Sequence, residues 1–365
     1  MSDAPVKTRI CYGQMEALEL TKREQFVLTS IIEKFVASAN PVGSKLIESD
    51  CHGAISSATI RNVMSELELR GFVKQPHTSA GRMPTDKGYR FYVDTLMPVQ
   101  ALSLQEKNNI YNTIISVSKD VSDVLEAATQ TLARISSQLG LGLAPRFYEG
   151  IFEKIELIPI AFKKILVVIS IESGFVKTIT LEIDKDISRE RLEETARIIN
   201  ERLSGLSLKE IKKTIDRRLS GLLDSENNFI DFVINSSGKI FADLSPNDLH
   251  LGGTANIMSL PEFSDHQSIV KIMELIDDKE ILIHLMSDEN SVELISENNI
   301  RITIGEENKK ELVSHCSLIT TTYEIGNISG RIGIIGPTRM NYSKLVVLVD
   351  YMSKVLTDVF KMNND

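Results

Sequence analysis

The stretch from Ser56 to Asp94 constrains the fold more than any other part of the chain, because it specifies a helix followed by a tight hairpin. Apolar residues recur there at the i, i+3, i+4, i+7 spacing of one buried helical face: Ile60, Val63, Met64 and Leu67. Ser56 or Ser57 can cap the first turn, and Gly71 supplies the left-handed residue that commonly ends a helix. We therefore predict a helix from about 57 to 70.

A short two-stranded hairpin is predicted directly after this helix. Residues 72 to 76 are typical of one strand, residues 77 to 81 of a tip, and residues 82 to 84 of the returning strand. From Arg70 to Tyr92 there are five Lys/Arg and one acid, a local balance of +4. A helix, a hairpin and a basic flank in this order indicate a winged helix-turn-helix, which binds DNA.

The residues before this stretch supply the rest of that domain. Thr21 opens a first helix with a predicted capping box, and Ser44 caps a short second helix that pairs with the helix from Ser57. We expect residues 1–20 to be a mobile N-terminal arm and residues 21–98 to form the winged-helix DNA-binding domain.

Burial of the apolar helical face leaves polar side chains outside, of the types that read base edges or contact phosphates. The candidate DNA-binding residues lie on the third helix and the hairpin: Ser57, Thr59, Arg61, Asn62, Ser65, Lys74, His77, Thr78, Ser79 and Arg82. The alternative is an ordinary core helix, with Arg61 solvated or paired with Glu66 or Glu68. The hairpin tip would then be selected for turn chemistry alone.

Size and charge are compatible with a DNA-binding domain joined to a larger body. A chain of 365 residues suggests two or three domains. The net charge of −9 is unevenly distributed, because residues 1–97 carry 12 Lys/Arg and 11 Asp/Glu while the remainder sums to −10. Binding to a polyanion depends on local contacts, so the acidic body does not exclude it.

Several classes of protein do not fit the sequence. No apolar run is long enough to span a membrane and no secretory core is present, so we expect a cytoplasmic protein without a membrane partner. The three cysteines and six histidines show neither CxxC nor HExxH, and no Walker A or GxSxG motif occurs. We predict no metal, no cofactor, no catalytic residues and no enzymatic activity.

The remainder of the chain alternates helical and strand patterns. Apolar residues from 110 to 139 recur in steps of three and four, which fits either a seam to another chain or one or two helices packed on their own domain. Strands are predicted on both sides of a helical interruption, which suggests one α/β domain with an insertion: 155–160, 165–171, 176–183, 300–304, 316–325 and 330–335.

Several sequence motifs of the chain resemble those of a known protein family. PHTSAGRMPTDKGYRFYVD, preceded by SSATIRNVMSELELRG, resembles the signature of the bacterial heat-inducible transcription repressors called HrcA. Further matches are LGGTANIMSLPEF (251–263), IGEEN (304–308) and GIIGPTRMNY (333–342). The resemblance covers nearly the whole chain from Thr21 onward.

This resemblance implies an α+β multidomain chain with a winged helix-turn-helix, a central GAF-like α/β domain and an inserted dimerisation domain. We place the GAF-like domain at 104–200 and 265–361, and the insertion at 201–264. It also implies a homodimeric repressor of heat-shock (chaperone) operons that binds an inverted-repeat operator in double-stranded DNA, is released on heat stress and is modulated by the chaperonin.

Two other functions stay open from the residues alone. A winged-helix regulator could be controlled by a small-molecule ligand in its GAF-like domain. Alternatively, an enzyme or adaptor could use the winged helix for protein contact.

Overall fold

The computed structural model describes residues 20–51, 54–78, 80–98, 100–117, 120–183, 187–219, 228–241, 248–287 and 299–364. Except for Leu20, the predicted N-terminal arm lies outside the described residues. The fold is α+β, and we divide it into three units by their contacts. These are the head (20–97), the insert (147–241) and the body, which comprises residues 100–146 and 248–364. Among the described residues, no helix is long and apolar enough to cross a membrane.

The head consists of four helices and a small antiparallel hairpin: α1 (Lys22–Ser38), α2 (Ser44–Asp50), α3 (Ser57–Leu69), β1 (Val73–Lys74), β2 (Met83–Pro84) and α4 (Asp86–Phe91), which continues in a wider π turn over Tyr92–Leu96. The predicted capping box is confirmed, because Thr21 Oγ1 accepts from the Glu24 amide and the Glu24 carboxylate accepts from the Thr21 amide. Ser56 caps α3, and Gly71 follows its end at φ +76°.

The body is built on a five-stranded antiparallel sheet in the order β7-β3-β10-β9-β8. Its strands are β3 (Leu139–Leu143), β7 (Leu249–Gly252), β8 (Arg301–Ile304), β9 (Cys316–Ile325) and β10 (Ile328–Pro337). Its helices are α5 (Leu104–Ile115), α6 (Val121–Ser136), α11 (Thr254–Met258), α12 (His266–Asp277), α13 (Lys279–Ser287) and α14 (Tyr342–Asn364). The long α14 packs against β9, β10, α5 and α6.

The apolar run from 110 to 139 belongs to the body and does not form one continuous helix. Ile110 and Ile114 of α5 and Leu132 of α6 are completely buried within the chain. This burial favours two helices packed on their own domain over a seam to another chain. The last residue of the run begins strand β3, which contains Gly140 and Gly142.

The insert is a separate three-stranded antiparallel sheet in the order β4-β5-β6, covered by helices. Its elements are β4 (Phe152–Ala161), β5 (Lys164–Ile171), β6 (Val176–Glu182), α7 (Arg189–Leu203), α8 (Leu208–Leu219), α9 (Asn228–Asn235) and α10 (Ser237–Ile240). Helix α7 packs against β4, α8 packs against α7, and side chains of all three layers are completely buried, such as Val167, Ile199 and Ile211.

The sheet topology differs from the predicted division at residues 201 and 264. The sequence places strands β4 to β6 in the same domain as β8 to β10, but they form no pairs with that sheet in the part of the chain described. Conversely, β7 lies inside the predicted insertion and pairs with β3 of the body. The physical reason is that apolar alternation identifies a strand but not its hydrogen-bonding partner.

The head contacts the body through Arg90 of α4. Its guanidinium makes a bidentate contact with the Glu307 carboxylate and donates a 2.8 Å hydrogen bond to the Ile302 carbonyl oxygen. Asp94, one turn later, lies 3.3 Å from the same guanidinium, and its side chain is 3% exposed. We call these four residues the joint, in which two carboxylates share one arginine.

The joint makes stability depend on pH. Burial, together with the neighbouring Glu307 carboxylate, raises the pKa of Asp94 from 3.8 to about 7. A carboxyl with a raised folded-state pKa stabilises the fold below its unfolded-state pKa, and this contribution is lost as the pH rises through about 7. We expect Asp94→Asn to remove this pH dependence. The melting temperature of wild type relative to that of the variant should therefore be higher at about pH 5 than at about pH 8. Thermal unfolding at both pH values checks this, and a pH-independent difference would contradict it.

Candidate nucleic-acid interface

Helix α3 presents a polar face to solvent because its apolar stripe is buried in the head. Ile60 and Leu67 are completely buried, whereas Arg61, Asn62 and Ser65 are exposed. The structure shows no hydrogen bond or ion pair for the side chains of Arg61 and Asn62 within the part of the chain that it describes. The Ser65 hydroxyl donates to the Arg61 carbonyl oxygen at 3.0 Å, so it is satisfied within the helix.

The hydroxyl groups in the first turn of α3 are less available to a ligand than the sequence predicts. The Ser57 hydroxyl lies 2.9 Å from the Ser44 hydroxyl, and this contact joins α2 to α3. The Thr59 hydroxyl lies 2.9 Å from the Ser56 hydroxyl, and both Ser57 and Thr59 are only half-exposed. A hydroxyl can both donate and accept, so each retains some capacity toward a ligand. Arg61 and Asn62 are therefore the best placed of the predicted helix residues.

The hairpin beside α3 is held by a small number of hydrogen bonds. Val73 lies opposite Pro84 in the ladder of β1 and β2. The backbone of Arg82 exchanges two hydrogen bonds with that of Val42, at 2.8 and 2.9 Å. The Gln75 side-chain amide closes the tip by donating to the carbonyl oxygens of Thr78 and Ala80. The tip is therefore fixed against the chain between α1 and α2.

The predicted hairpin residues differ in their exposure. Lys74, His77 and Thr78 are exposed beside α3, as expected for side chains that can meet a ligand. Ser79 lies outside the described residues. Arg82 differs from the expectation, because its guanidinium pairs with Glu68 of α3 at 2.8 Å and its side chain is 15% exposed.

The pair formed by Arg82 and Glu68 positions the hairpin relative to the helix. Glu68 also accepts a 3.2 Å hydrogen bond from the backbone N–H of Gln75, so one carboxylate contacts both arms of the hairpin. No sequence motif indicates this role for Glu68 or Gln75. The available signal, an acid on α3 before a basic hairpin, is equally compatible with a solvated side chain.

Helix and hairpin enclose an open groove of about 480 Å³. Its lining combines residues of α3 with residues of the hairpin and of the α1–α2 connection, including Arg61, Ser65, Thr78 and Gly81. A Cβ at Gly81 would come 2.4 Å from the Val42 carbonyl group, so glycine is needed where hairpin and connection meet. Cationic and hydroxyl side chains in a groove next to an exposed helix can bind a phosphate backbone while the helix contacts base edges.

Comparisons with known proteins define the family. Residues 122–346 match the family model described as HrcA protein C terminal domain. A relative from Prosthecochloris aestuarii is 40% identical over 353 residues, covering 95% of this chain and 99% of its own. The chain belongs to the HrcA family. A relative from Chlorobaculum parvum is 41% identical with the same coverage, and both relatives are named heat-inducible transcription repressor HrcA.

A solved structure shares the fold of this HrcA-family chain. It is a crystal structure of a hypothetical protein at 2.2 Å resolution, with a TM-score of 0.56 and 22% sequence identity. The match covers 94% of this chain and 99% of the other.

The anchoring pair can be tested through the mobility of the hairpin. Arg82→Ala removes the contact with Glu68. We expect the free energy of local opening of the hairpin to fall by about 1 kcal/mol, so that the equilibrium constant for opening rises roughly fivefold. Hydrogen exchange of the Gln75 amide should accelerate by that factor, while the Ile60 amide in α3 is unchanged. Lys74→Ala is the matched control, because Lys74 is exposed on the same hairpin. Equal exchange at Gln75 in wild type and Arg82→Ala would refute the anchoring role.

Proposed function

We propose that this protein is a transcriptional repressor of heat-shock (chaperone) operons that binds an inverted-repeat operator as a homodimer. In this proposal the head is a winged helix-turn-helix, the body is a GAF-like domain and the insert is the dimerisation domain. Helix α3 enters the major groove and the hairpin lies along the adjacent backbone. The chain acts by binding and has no catalytic role.

The observation that carries this proposal is the exposed polar face of α3 beside an anchored hairpin. Arg61 and Asn62 have the two side-chain types that form bidentate contacts with guanine and adenine, respectively. The exposed Lys74 can contact phosphate next to them. Membership of a family whose relatives are named heat-inducible transcription repressors supports the same function.

Operator binding can be tested even though the sequence of the DNA site is unknown. The full-length protein is used to select duplexes from a randomised pool, and a footprint is then measured upstream of the organism's chaperonin genes. We expect an inverted repeat with half-site centres about 10 bp, or a multiple of it, apart. Absence of any enriched sequence, with binding equal to that of random DNA, would refute the proposal.

Arg61 provides a residue-level test of base readout. We expect Arg61→Ala to lose about 1–3 kcal/mol of operator binding while the melting temperature stays unchanged, because the side chain is exposed. Lys74→Ala is the comparison variant, since a phosphate contact should weaken operator and random DNA alike and reduce the log–log salt slope by about one. Gel-shift titrations at several salt concentrations measure both effects. Unchanged operator affinity of Arg61→Ala would contradict base readout.

The insert offers an apolar surface for the proposed dimer. The outer face of its sheet carries exposed Ile158, Ile160 and Val176, and Phe162 at the β4–β5 turn is 75% exposed. Ile158, Ile160 and Phe162 occupy alternate positions of β4 and its turn, and exposed apolar side chains grouped in this way are typical of a protein contact. Its borders carry ion pairs, Lys154 with Glu156 and Lys164 with Glu182. A neutral border around an apolar centre can complement a second copy of itself across a two-fold axis.

The dimer contact is tested by placing a charge at its centre. We expect Ile158→Asp to convert the dimer to a monomer, because the carboxylate would have to lose its hydration in the interface. Light scattering gives the molecular mass. Val270→Asp is the control, since Val270 is an exposed apolar residue on α12, away from the insert. A variant Ile158→Asp that retains the dimer mass would exclude this face as the interface.

Release on heat stress is proposed because the relatives are named heat-inducible, and the family resemblance adds the chaperonin as modulator. Control by a small-molecule ligand has less support in the body than in the insert, where an open cleft of about 550 Å³ lies between β4 and α7. A body pocket beside Arg146 and Ser329 has a volume of about 70 Å³, whereas ligand sites usually measure about 300–1,000 Å³.

A further inference from the structure

The contact between head and body is polar and specific. Arg90 of the head donates to the body at three acceptor atoms, two on Glu307 and one on Ile302. Its side chain is 17% exposed and that of Glu307 is 31% exposed, so water competes little for this contact. A planar guanidinium with a bidentate carboxylate fixes direction as well as distance.

A second arginine crosses the same boundary in the opposite direction. Arg339 of the body makes a bidentate contact with Glu262 and donates a 2.7 Å hydrogen bond to the carbonyl oxygen of Val36, in the last turn of α1. A cation at that position also interacts favourably with the negative end of the helix dipole. At the same boundary, the ring of Tyr89 packs against that of Tyr342, with centroids 5.8 Å apart.

The backbone of the body approaches the head closely beside the joint. Asp86, in the first turn of α4, accepts a 3.1 Å hydrogen bond from the Glu306 amide. A Cβ at Gly305, where φ is +57°, would come 1.8 Å from the Asp86 carboxylate oxygen. Two arginine contacts, a close backbone approach and an aromatic contact leave the head one orientation on the body.

We propose that Arg90 is a positioning residue that sets the spacing of the two half-sites the dimer can bind. Arg90 is on α4 and does not line the groove beside α3. It therefore affects DNA binding through the orientation of the head. Two heads held rigidly on one dimer match only half-sites of the corresponding separation and rotation. This inference rests on the proposed binding of an inverted repeat by a dimer.

A rigid joint and a loose joint predict different binding data. With a rigid joint, the second head binds as an intramolecular step at a high effective concentration, which can raise affinity by about 10²–10⁴. About five additional base pairs turn one half-site by about half a helical turn, out of reach of a fixed head. With a loose joint, the affinity for the natural repeat falls and the penalty for the insertion shrinks.

The experiment compares wild type with Arg90→Lys and, independently, Glu307→Gln. Each is titrated against the selected inverted repeat, the same repeat lengthened by about half a helical turn, and a single half-site. We expect either variant to bind the repeat at least about tenfold more weakly, with half-site affinity within about twofold of wild type. The ratio of affinities for the natural and the lengthened repeat should fall by at least about tenfold.

Arg197→Lys and Glu201→Gln are the matched controls, because that pair is a solvent-exposed ion pair on α7 of the insert. They should reproduce all three wild-type affinities. Unchanged spacing discrimination in both joint variants would overturn the inference, as would a parallel loss of half-site affinity. If wild type itself binds the repeat no better than the half-site, the proposed dimeric operator binding fails, which is a distinguishable result.

Discussion

The body depends on how closely strand β3 lies against helix α6. A side chain at Gly140 would place its Cβ 2.2 Å from the Thr129 carbonyl oxygen, and one at Gly252 would come 2.3 Å from the Thr129 carbonyl carbon. Glycine at both positions allows β3 and β7 to lie side by side beneath α6. Leu143 is therefore opposite Leu249, and the chain leaves and re-enters the sheet at adjacent points. A large insert is attached here without interrupting the body sheet.

Local sequence signals are sufficient to predict the helices of the head. The residues that cap α1 and α3 make their contacts within three positions, so their types and spacing contain the information. Strands β4 to β6 are also recognisable from alternation. Their separation from the body sheet is not, because it depends on pairing with distant strands. Strand β3 escapes prediction because its glycines, which serve a tertiary close approach, suggest a turn when only neighbours are considered.

The candidate interface shows the same limit at the level of single side chains. Helical periodicity correctly places Arg61 and Asn62 on the exposed face of α3, since exposure follows from the buried stripe. It cannot show that Arg82 is directed at Glu68, because that pair joins two elements 14 positions apart in the chain. The roles of Arg90 and Arg339 are likewise beyond sequence reasoning, since they depend on contacts between units.

The pairing of β3 with β10 determines when the body sheet can be completed during synthesis of the chain. Residues 139–143 are hydrogen-bonded to residues 331–335, so about 190 residues are synthesised between the two strands. At about 5–20 residues per second, this takes roughly 10–40 s. During that interval the apolar residues of β3 and α6 have no β10 to cover them, and the long loop adds to the entropic cost of closure. The nascent chain therefore exposes the kind of surface that chaperones bind.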